Sequence, residues 1–565
     1  MPSFDTSPIL YWLPVYALCW GLLWMSFRWA GNQRVFLIAA SGVLFLLRLP
    51  SIVFNAEINP DESQMITQAL TLRHDPVFWR SVDGTTAGPL DSYFLTIPAL
   101  LGLPFDYITA HLMAFSLVAV CLWLLVKTAR LWFEEAAARL ALLPLVFMFG
   151  LTQNGDFLHY NSELIALVLL SWTYYLYAVQ VRQKQPVRWR VALIGLLLGM
   201  IPFGKLQAVP MAAVVGLFVA VDLLKRRNLA TLTRIGHIAL LGVCAVLFPV
   251  FVVWLTWLNG VYDDFVTFYI QGNFQYARNT SQWQSLLDLP AFFQNGSEFD
   301  WLVKLTAGVW LAGFILALRR NTRFAENVWS TGGFIAALLA ATLFAITRTG
   351  SGYIHYLYFL TGPLLFALAY GWQQLLADGR FGKWITVGAM AIFLMLFGIQ
   401  AFTLYQQGTP LNLYPSDRQG GWALQPSPVS KTIARYARPG EKLVVWGWRC
   451  DYYVQTQMPQ GVAENHSIRS AFTHPLLAIY QQRYVENFVR SFPPVFVDAV
   501  GKQNLWMTNR KTQGHELIKP LGQFVSDHYD YIGLVSDARI YVRHDRSTRK
   551  KGYFVADNKL KRKVN

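Results

Sequence analysis

Cysteine and charged residues are both scarce in this 565-residue chain. The four cysteines, Cys19, Cys121, Cys244 and Cys450, are scattered, and the first three lie inside apolar blocks. This excludes a disulfide framework and a thiolate metal site. Charged residues make up 14% of the chain and hydrophobic residues 54%, and the hydrophobic residues form long blocks. The composition therefore predicts a membrane protein.

The sequence also lacks the signs of a cleaved leader and of a repeat protein. No basic region precedes the first apolar block, Ile9 to Phe27, and no small-residue cleavage site follows it, so we expect a retained span. Neither an internal repeat nor a low-complexity linker is present. The net charge is +16, but the cations lie in short loops, where they orient a membrane protein and do not indicate nucleic-acid binding.

The apolar blocks predict the membrane helices. A helix needs about 20 apolar residues to cross about 30 Å of hydrocarbon. This template predicts twelve spans, near residues 9–29, 35–54, 107–126, 140–152, 163–181, 191–204, 206–224, 238–258, 301–318, 329–347, 352–373 and 384–403. Several of these blocks are short, and Lys205 separates two of them.

Basic residues predict the orientation of the spans. They fall in alternate loops, at Arg28 and Arg34, Lys127 to Arg139, Arg182 to Arg190, Lys225 to Arg234, Arg319 to Arg323, and Arg380 and Lys383. By the positive-inside rule these loops are cytoplasmic. Arg190 and Lys225 then lie on one side, so the segment between them is a hairpin with Lys205 at its outer apex. The opposite loops, chiefly 55–106, 153–162 and 259–300, face the periplasm.

The hydrophilic tail predicts a second domain. Residues 1–404 form the transmembrane domain, and residues 405–565 are enough for a separate core. Strand-like and helical runs alternate in the tail, at Lys442 to Trp448, Tyr531 to Val535, Arg539 to Arg543, 428–438 and 475–490. The predicted fold is a polytopic all-α membrane domain of about 12 helices followed by a small α/β periplasmic domain. The basic segment Lys550 to Lys563 suits contact with anionic lipid headgroups.

Two acidic segments on the predicted outer side could carry chemistry. Asp61 and Glu62 open a helical stretch after the second span, where Asp61 is either a helix cap or a general base. Asp156 and Glu163 flank His159 in the next outer loop. These three residues could position a substrate or, with Asp61, hold a divalent metal. Glu163 opens an apolar helix, so it is either a cap or makes a functional contact.

Cations are few on the outer side, and each is a candidate phosphate ligand. Lys205 and Arg348 are the main candidates, and Arg348 is followed by His355 and Tyr356. Arg73, Arg80 and Arg278 are weaker candidates. Gly350 and Gly352 either approach a phosphate or only make the turn. The pair Asp263 and Asp264 is interpreted as the acidic first turn of a surface helix and not as a nucleotide-sugar metal motif.

These motifs together resemble the GT-C superfamily of membrane glycosyltransferases, in the branch of protein O-mannosyltransferases and the lipid A aminoarabinose transferase. The resemblance rests on Asp61-Glu62 with Gln68-Ala-Leu70, Asn161-Ser-Glu163, Phe203-Gly-Lys205, Arg348 to Tyr356 with Pro363, and Pro439 to Trp448. It covers most of the chain, through short motifs. The chain departs from the simplest family pattern in having two spans before the Asp-Glu loop.

The resemblance implies an inverting transfer of a hexosyl or pentosyl group from a polyprenyl-phosphate donor. The acceptor would be a hydroxyl of an envelope glycan, lipid or protein at the periplasmic face of the bacterial inner membrane. Asp61 would be the general base, and Lys205 and Arg348 would stabilise the leaving phosphate. The implied substrate-binding residues are Glu62, Asp156, His159, Glu163, His355 and Tyr356, and a divalent metal is left open.

Two other functions remain as alternatives. A polysaccharide polymerase or ligase would depend on outer arginines and would tolerate the loss of Asp61. A membrane transporter would carry ionisable residues at the bilayer midplane and often paired repeats, and the sequence shows neither pattern.

Overall fold

The computed structural model describes residues 4, 7–29, 31–276, 281–319, 326–411 and 422–547. In this part of the chain, nine helices are long and apolar enough to cross a membrane. They are Pro8–Arg28, Gln33–Ile52, Tyr107–Trp132, Leu164–Arg182, Leu206–Lys225, Thr231–Leu258, Glu298–Arg319, Ile354–Leu376 and Gly379–Gln406. The protein is therefore a multi-pass membrane protein.

The three remaining predicted spans are also helices, but shorter or only partly described ones. They are Glu135–Leu151, Arg188–Met200 and Glu326–Thr347. Every predicted apolar block thus forms a helix, because a helix satisfies its own backbone hydrogen bonds where no water is present. Some helices turn broad apolar faces outward: on Thr231–Leu258, Leu247 and Trp254 are 53% and 51% exposed. Apolar surface of this extent suits contact with lipid.

Small residues let two of the helices pack closely. Gly195 and Gly199 are four residues apart on the helix Arg188–Met200, which packs against Thr231–Leu258. A Cβ on Gly199 would lie 2.2 Å from the carbonyl oxygen of Ala245. In lipid the hydrophobic effect does not draw helices together. The close packing that small residues allow provides the attraction instead.

The predicted hairpin around Lys205 is present as two helices with an irregular break. Arg188–Met200 continues into the 3₁₀ turn Ile201–Phe203, Lys205 is extended, and a second 3₁₀ turn leads into Val209–Lys225. A Cβ on Gly216 would contact Leu198 at 3.5 Å, so the two helices lie side by side. Lys205 therefore sits outside regular helix.

Shorter helices fill the predicted outer loops. They are Pro60–His74, Pro89–Phe94, Ile97–Leu100, Tyr262–Asp264, the π-helix Phe265–Gln271, Gly272–Tyr276, Gln282–Leu287 and Leu289–Asn295. Asp263 and Asp264 lie in the first turn of Tyr262–Asp264, as the sequence indicates.

The chain divides into two compact units. The first comprises Met1–Ile66 and Gly84–Gln425, and the second comprises Thr67–Asp83 and Pro426–Asn565. The last membrane helix ends at Gln406, close to the predicted boundary at 404. The segment Thr67–Asp83 belongs to the second unit although it precedes most of the membrane helices. The predicted basic contact at Lys550 to Lys563 lies outside the described residues.

The second unit is a small α/β domain, as predicted. Its strands are β1 (Leu443–Trp446), β2 (Val495–Asp498), β3 (Tyr529–Val535) and β4 (Ala538–Arg543), in the order β1-β2-β4-β3. The strands β1 and β2 are parallel, with Leu443 opposite Val495, and the other pairs are antiparallel. Its helices are Pro428–Ile433, Asp451–Thr456, Ile468–Ala471, Leu477–Ser491, Arg510–Gln513 and Lys519–His528.

Both faces of the strands β1 and β2 are buried. Leu443 and Val445 pack in one hydrophobic cluster, and Val444 and Trp446 pack in another. The run of apolar residues in β1 therefore lacks the polar alternation of a half-exposed strand.

Candidate active site

Asp61 lies in the first turn of the helix Pro60–His74. The side-chain oxygen of Asn59 accepts the backbone N–H of Asp61 at 2.9 Å, so Asn59 and not Asp61 caps this helix. Asp61 is half-buried, and within the described ranges its carboxylate has no hydrogen-bond or ion-pair partner. The carboxylate is therefore available to a ligand.

Glu62, the neighbour of Asp61, is instead fully buried, and both of its carboxylate oxygens are hydrogen-bonded. One carboxylate oxygen accepts the backbone N–H of Ile58 at 2.5 Å, and the other bonds His111 Nε2 at 2.9 Å. These contacts fix the start of the helix. The predicted role of Glu62 in substrate binding stays a prediction.

Asn59 connects Asp61 to the second acidic segment. The Asn59 amide donates to Asp156 Oδ1 at 2.8 Å, while its oxygen holds the Asp61 backbone. Asp156 Oδ2 lies 4.0 Å from His355 Nδ1. The rings of His159 and His355 meet edge to face at 6.3 Å between centroids. Three loops far apart in sequence therefore meet at one acidic cluster, which we call the Asp61 cluster.

Arg48 supports the loop that carries Asp156. This arginine belongs to the helix Gln33–Ile52 and is 1% exposed. Its guanidinium donates to the backbone carbonyls of Phe157 and Leu158 at 2.8 and 2.6 Å. The Tyr358 hydroxyl also donates to the Phe157 carbonyl, at 2.8 Å. Arg48 thus holds the Asp156 loop through its backbone.

Lys205 and Glu163 form a buried ion pair. Lys205 Nζ lies 2.9 Å from Glu163 Oε1 and 2.5 Å from Ser162 Oγ. The Glu163 side chain makes no capping hydrogen bond to its helix. Its buried position is therefore explained by the ion pair with Lys205 and not by helix capping. Burial opposes ionisation of Glu163, but Lys205 and His355 outweigh it and hold the pKa of Glu163 below its usual value.

Asp91 is the other carboxyl near Lys205. Burial, strengthened by the charge of Glu163, raises the pKa of Asp91 well above its usual value. The charge of Lys205 lowers the pKa of Asp91 but does not outweigh burial. Asp91 Oδ2 accepts the backbone N–H of Gly88 at 3.2 Å. Lys205 also lies 5.7 Å from the centroid of the Tyr356 ring, so Lys205, Glu163, Asp91 and Tyr356 form one buried group.

Arg348 follows the helix Glu326–Thr347 and is half-buried. Its guanidinium has no hydrogen-bond or ion-pair partner in the part of the chain that the structure describes. Gly350 and Gly352 both have positive φ, of 63° and 61°, so the turn after Arg348 requires glycine for conformational reasons. Among the described residues nothing neutralises Arg348, whereas Glu163 neutralises Lys205.

The weaker phosphate candidates lie elsewhere. Arg73 and Arg80 belong to the second unit, and Arg80 forms a two-point ion pair with Asp75. Arg278 lies outside the described residues.

The proposed metal cluster of Asp61, Asp156, His159 and Glu163 is not assembled in the structure. Among the described residues, the acid and histidine set close enough to share a metal ion is Asp498, His515 and Glu516, in the second unit. The guanidinium of Arg539 already pairs with both Asp498 and Glu516. That set is therefore an ion-pair network and fits an arginine better than a metal.

Sequence reasoning missed four of these residues. Asn59 and Asp91 both have the sequence context of an ordinary helix start. Arg48 and His111 could have been detected, because each is a polar side chain inside an apolar helix, where burial is costly without a specific partner.

The comparisons agree on the fold. ArnT from Cupriavidus metallidurans bound to undecaprenyl phosphate is 14% identical with a TM-score of 0.53, over 90% of this chain and 98% of that one. The apo form of the same protein is 13% identical with a TM-score of 0.54, again over 90% of this chain and 98% of that one. No family model and no curated protein matches the sequence. The chain has the fold of ArnT, so the fold that the resemblance implied and the predicted fold class are confirmed.

Proposed function

We propose that this chain is an inverting glycosyltransferase that moves a sugar from a polyprenyl-phosphate donor to an acceptor hydroxyl. The main support is that the Asp61 carboxylate has no partner among the described residues, while Asn59 bonds both the Asp61 backbone and Asp156. The fold is shared with a protein that binds undecaprenyl phosphate. The three loops of the Asp61 cluster are joined by side-chain contacts that a purely structural cap would not need.

Asp61 is the general base of the proposed reaction. Its carboxylate takes the proton from the acceptor hydroxyl while the hydroxyl oxygen attacks the anomeric carbon. The bond between that carbon and the phosphate oxygen breaks, and the electron pair leaves with the polyprenyl phosphate. Glu62 and Asn59 accept backbone N–H groups at the start of the helix, from Ile58 and Asp61 respectively. The Asp61 carboxylate takes no part in these bonds and stays open to the acceptor.

Arg348 and Lys205 stabilise the departing phosphate. Arg348 offers a whole guanidinium, since it has no partner among the described residues. Lys205 contributes less net charge because Glu163 neutralises it, but one of the three N–H donors of its ammonium remains after the bonds to Glu163 and Ser162. The proposal therefore gives Arg348 the larger electrostatic role.

The remaining predicted residues position the substrates or the groups that bind them. Asp156 and His355 face each other across 4.0 Å and are suited to sugar hydroxyls, with His159 behind them. Glu163 and Tyr356 hold Lys205 in place. The transferred group is a hexosyl or pentosyl unit, and the acceptor is an envelope glycan, lipid or protein.

The proposed location is the bacterial inner membrane, and the alternation of basic loops supports the orientation of the spans in it. On that pattern the Asp61 cluster and the second unit are periplasmic. This side also suits the donor, because a polyprenyl-phosphate sugar stays in the membrane and needs no soluble nucleotide.

The reaction class is tested by release of radiolabelled polyprenyl phosphate from polyprenyl-phosphate sugars, using purified protein and membrane-extract acceptors. We expect release that depends on the acceptor. The same assay with a chelator added tests whether release requires a divalent metal. Failure to release product with every donor, together with solute uptake in liposomes, would support a transporter. Glycan chain extension without polyprenyl monophosphate release would support a polymerase or ligase.

A further inference from the structure

The second unit contains a polar cavity of about 260 Å³ that has no part in the proposed transfer reaction. Its floor is formed by the segment after the helix Asp451–Thr456, including Gln460 and Gly461, and by Asn487 from the helix Leu477–Ser491. Its rim carries Lys442 and Arg490. All of these residues belong to the second unit, so the cavity is a feature of that unit alone.

The rim has an excess of positive charge. Arg80 is paired with Asp75, the only carboxylate that lines the cavity in the described part of the chain. Lys442 and Arg490 are exposed, and neither has a hydrogen bond or ion pair with any described residue. Two cations beside one cavity repel each other, and an anionic ligand would relieve this repulsion.

The floor presents unused hydrogen-bonding groups. Gln460 is 2% exposed, and the two N–H groups of its amide are shared among the carbonyls of Ser81, Val462 and Ala463. Its Oε1 is buried without a partner among the described residues. The Asn487 oxygen accepts the backbone N–H of Ala463 at 3.1 Å, which leaves the Asn487 NH₂ group as a donor. A buried acceptor without a partner is costly, and a ligand hydroxyl would satisfy it.

We propose that this cavity binds an anionic sugar, namely a single sugar residue bearing a phosphate or carboxylate group. The cavity is small, which suits one ring and not an extended chain. Gln460 and Asn487 supply an acceptor and a donor for ring hydroxyls, and Lys442 and Arg490 bind the anion. The site is separate from the Asp61 cluster, so its test needs no glycosyl transfer.

The test is a binding titration of the full chain in detergent, by calorimetry or saturation-transfer NMR, at millimolar ligand. The probes are glucose 6-phosphate, glucuronate, neutral glucose and inorganic phosphate. The variant Lys442→Gln/Arg490→Gln removes the two rim cations. The control Lys511→Gln/Lys519→Gln removes the same charge from two exposed lysines of the second unit that do not line the cavity.

We expect both anionic sugars to bind about tenfold more tightly than glucose and inorganic phosphate. The rim variant should lose about tenfold in affinity for the anionic sugars, and the control should bind like the wild type. Equal losses in the two variants would show that net charge alone attracts the probe and would overturn the proposal. Inorganic phosphate binding as tightly as glucose 6-phosphate, or no binding of either anionic sugar, would also overturn it.

Discussion

Breaking the buried ion pair between Lys205 and Glu163 should strongly destabilise the first unit. The carboxylate of Glu163 is 0% exposed and Lys205 is 4% exposed, and their charged atoms lie 2.9 Å apart. The variant Glu163→Gln leaves a buried ammonium without its partner, which costs about 3 to 5 kcal/mol. Asp91 can offset part of this cost, because removing Glu163 lowers the pKa of Asp91 and favours its ionisation beside Lys205. We therefore expect the lower end of the range, about 3 kcal/mol.

The double variant Glu163→Gln/Lys205→Met completes the test. It removes both charges, so its unfolding free energy should return toward the wild-type value while glycosyl transfer stays lost. The measurement is chemical unfolding in detergent micelles for the four members of this double-mutant cycle. A loss of less than about 1 kcal/mol in Glu163→Gln, or losses that simply add in the double variant, would refute the reasoning.

Three further outcomes follow from the contacts. Arg48→Met should cost about 1 to 3 kcal/mol in unfolding free energy, because it leaves the carbonyl of Leu158 without its donor, while Tyr358 still donates to the carbonyl of Phe157; a cost near zero would contradict this role. Arg348→Gln should lower transfer by about 100-fold with little change in unfolding, measured as kcat/KM beside a melting curve. Burial raises the pKa of Glu464 to about 8 and lowers the pKa of His466 to about 4. The two contributions oppose each other below about pH 6.5, so the stability of the second unit should fall as pH rises from about 6.5 to 8, where only Glu464 acts. The variant Glu464→Gln should remove that slope in unfolding curves recorded across this pH range, since it cannot lose a proton.

Local patterns predicted the apolar helices and three of the four strands of this protein, but not β2 (Val495–Asp498). All twelve apolar blocks are helices, and the strands at Leu443–Trp446 and Ala538–Arg543 lie where the strand-like runs Lys442 to Trp448 and Arg539 to Arg543 indicated them. The two residues at the tip of the last hairpin, Ser536 and Asp537, both have positive φ, as a tight turn between twisted strands requires. Each of these helices, strands and turns depends on residues that are neighbours in the chain, so the pattern of a single sequence is enough to predict them.

The contacts of the candidate site were not predictable in the same way. Asn59 and Asp156 are 97 residues apart, and Lys205 and Ser162 are 43 residues apart. No spacing rule connects residues on different helices, so the sequence indicated Lys205 and Glu163 separately and could not show that they neutralise each other. The same limit hid the assignment of Thr67–Asp83 to the second unit, which depends on distant packing.

The most direct test of the central claim measures turnover and donor binding in the same preparation of Asp61→Asn. Asp263→Asn is the matched control, because Asp263 is an exposed acid in the first turn of another short helix. We predict that Asp61→Asn lowers transfer by at least about 100-fold, while donor affinity and folding stay close to the wild type and the control transfers normally. Full transfer by Asp61→Asn would contradict the assignment of Asp61 as the general base.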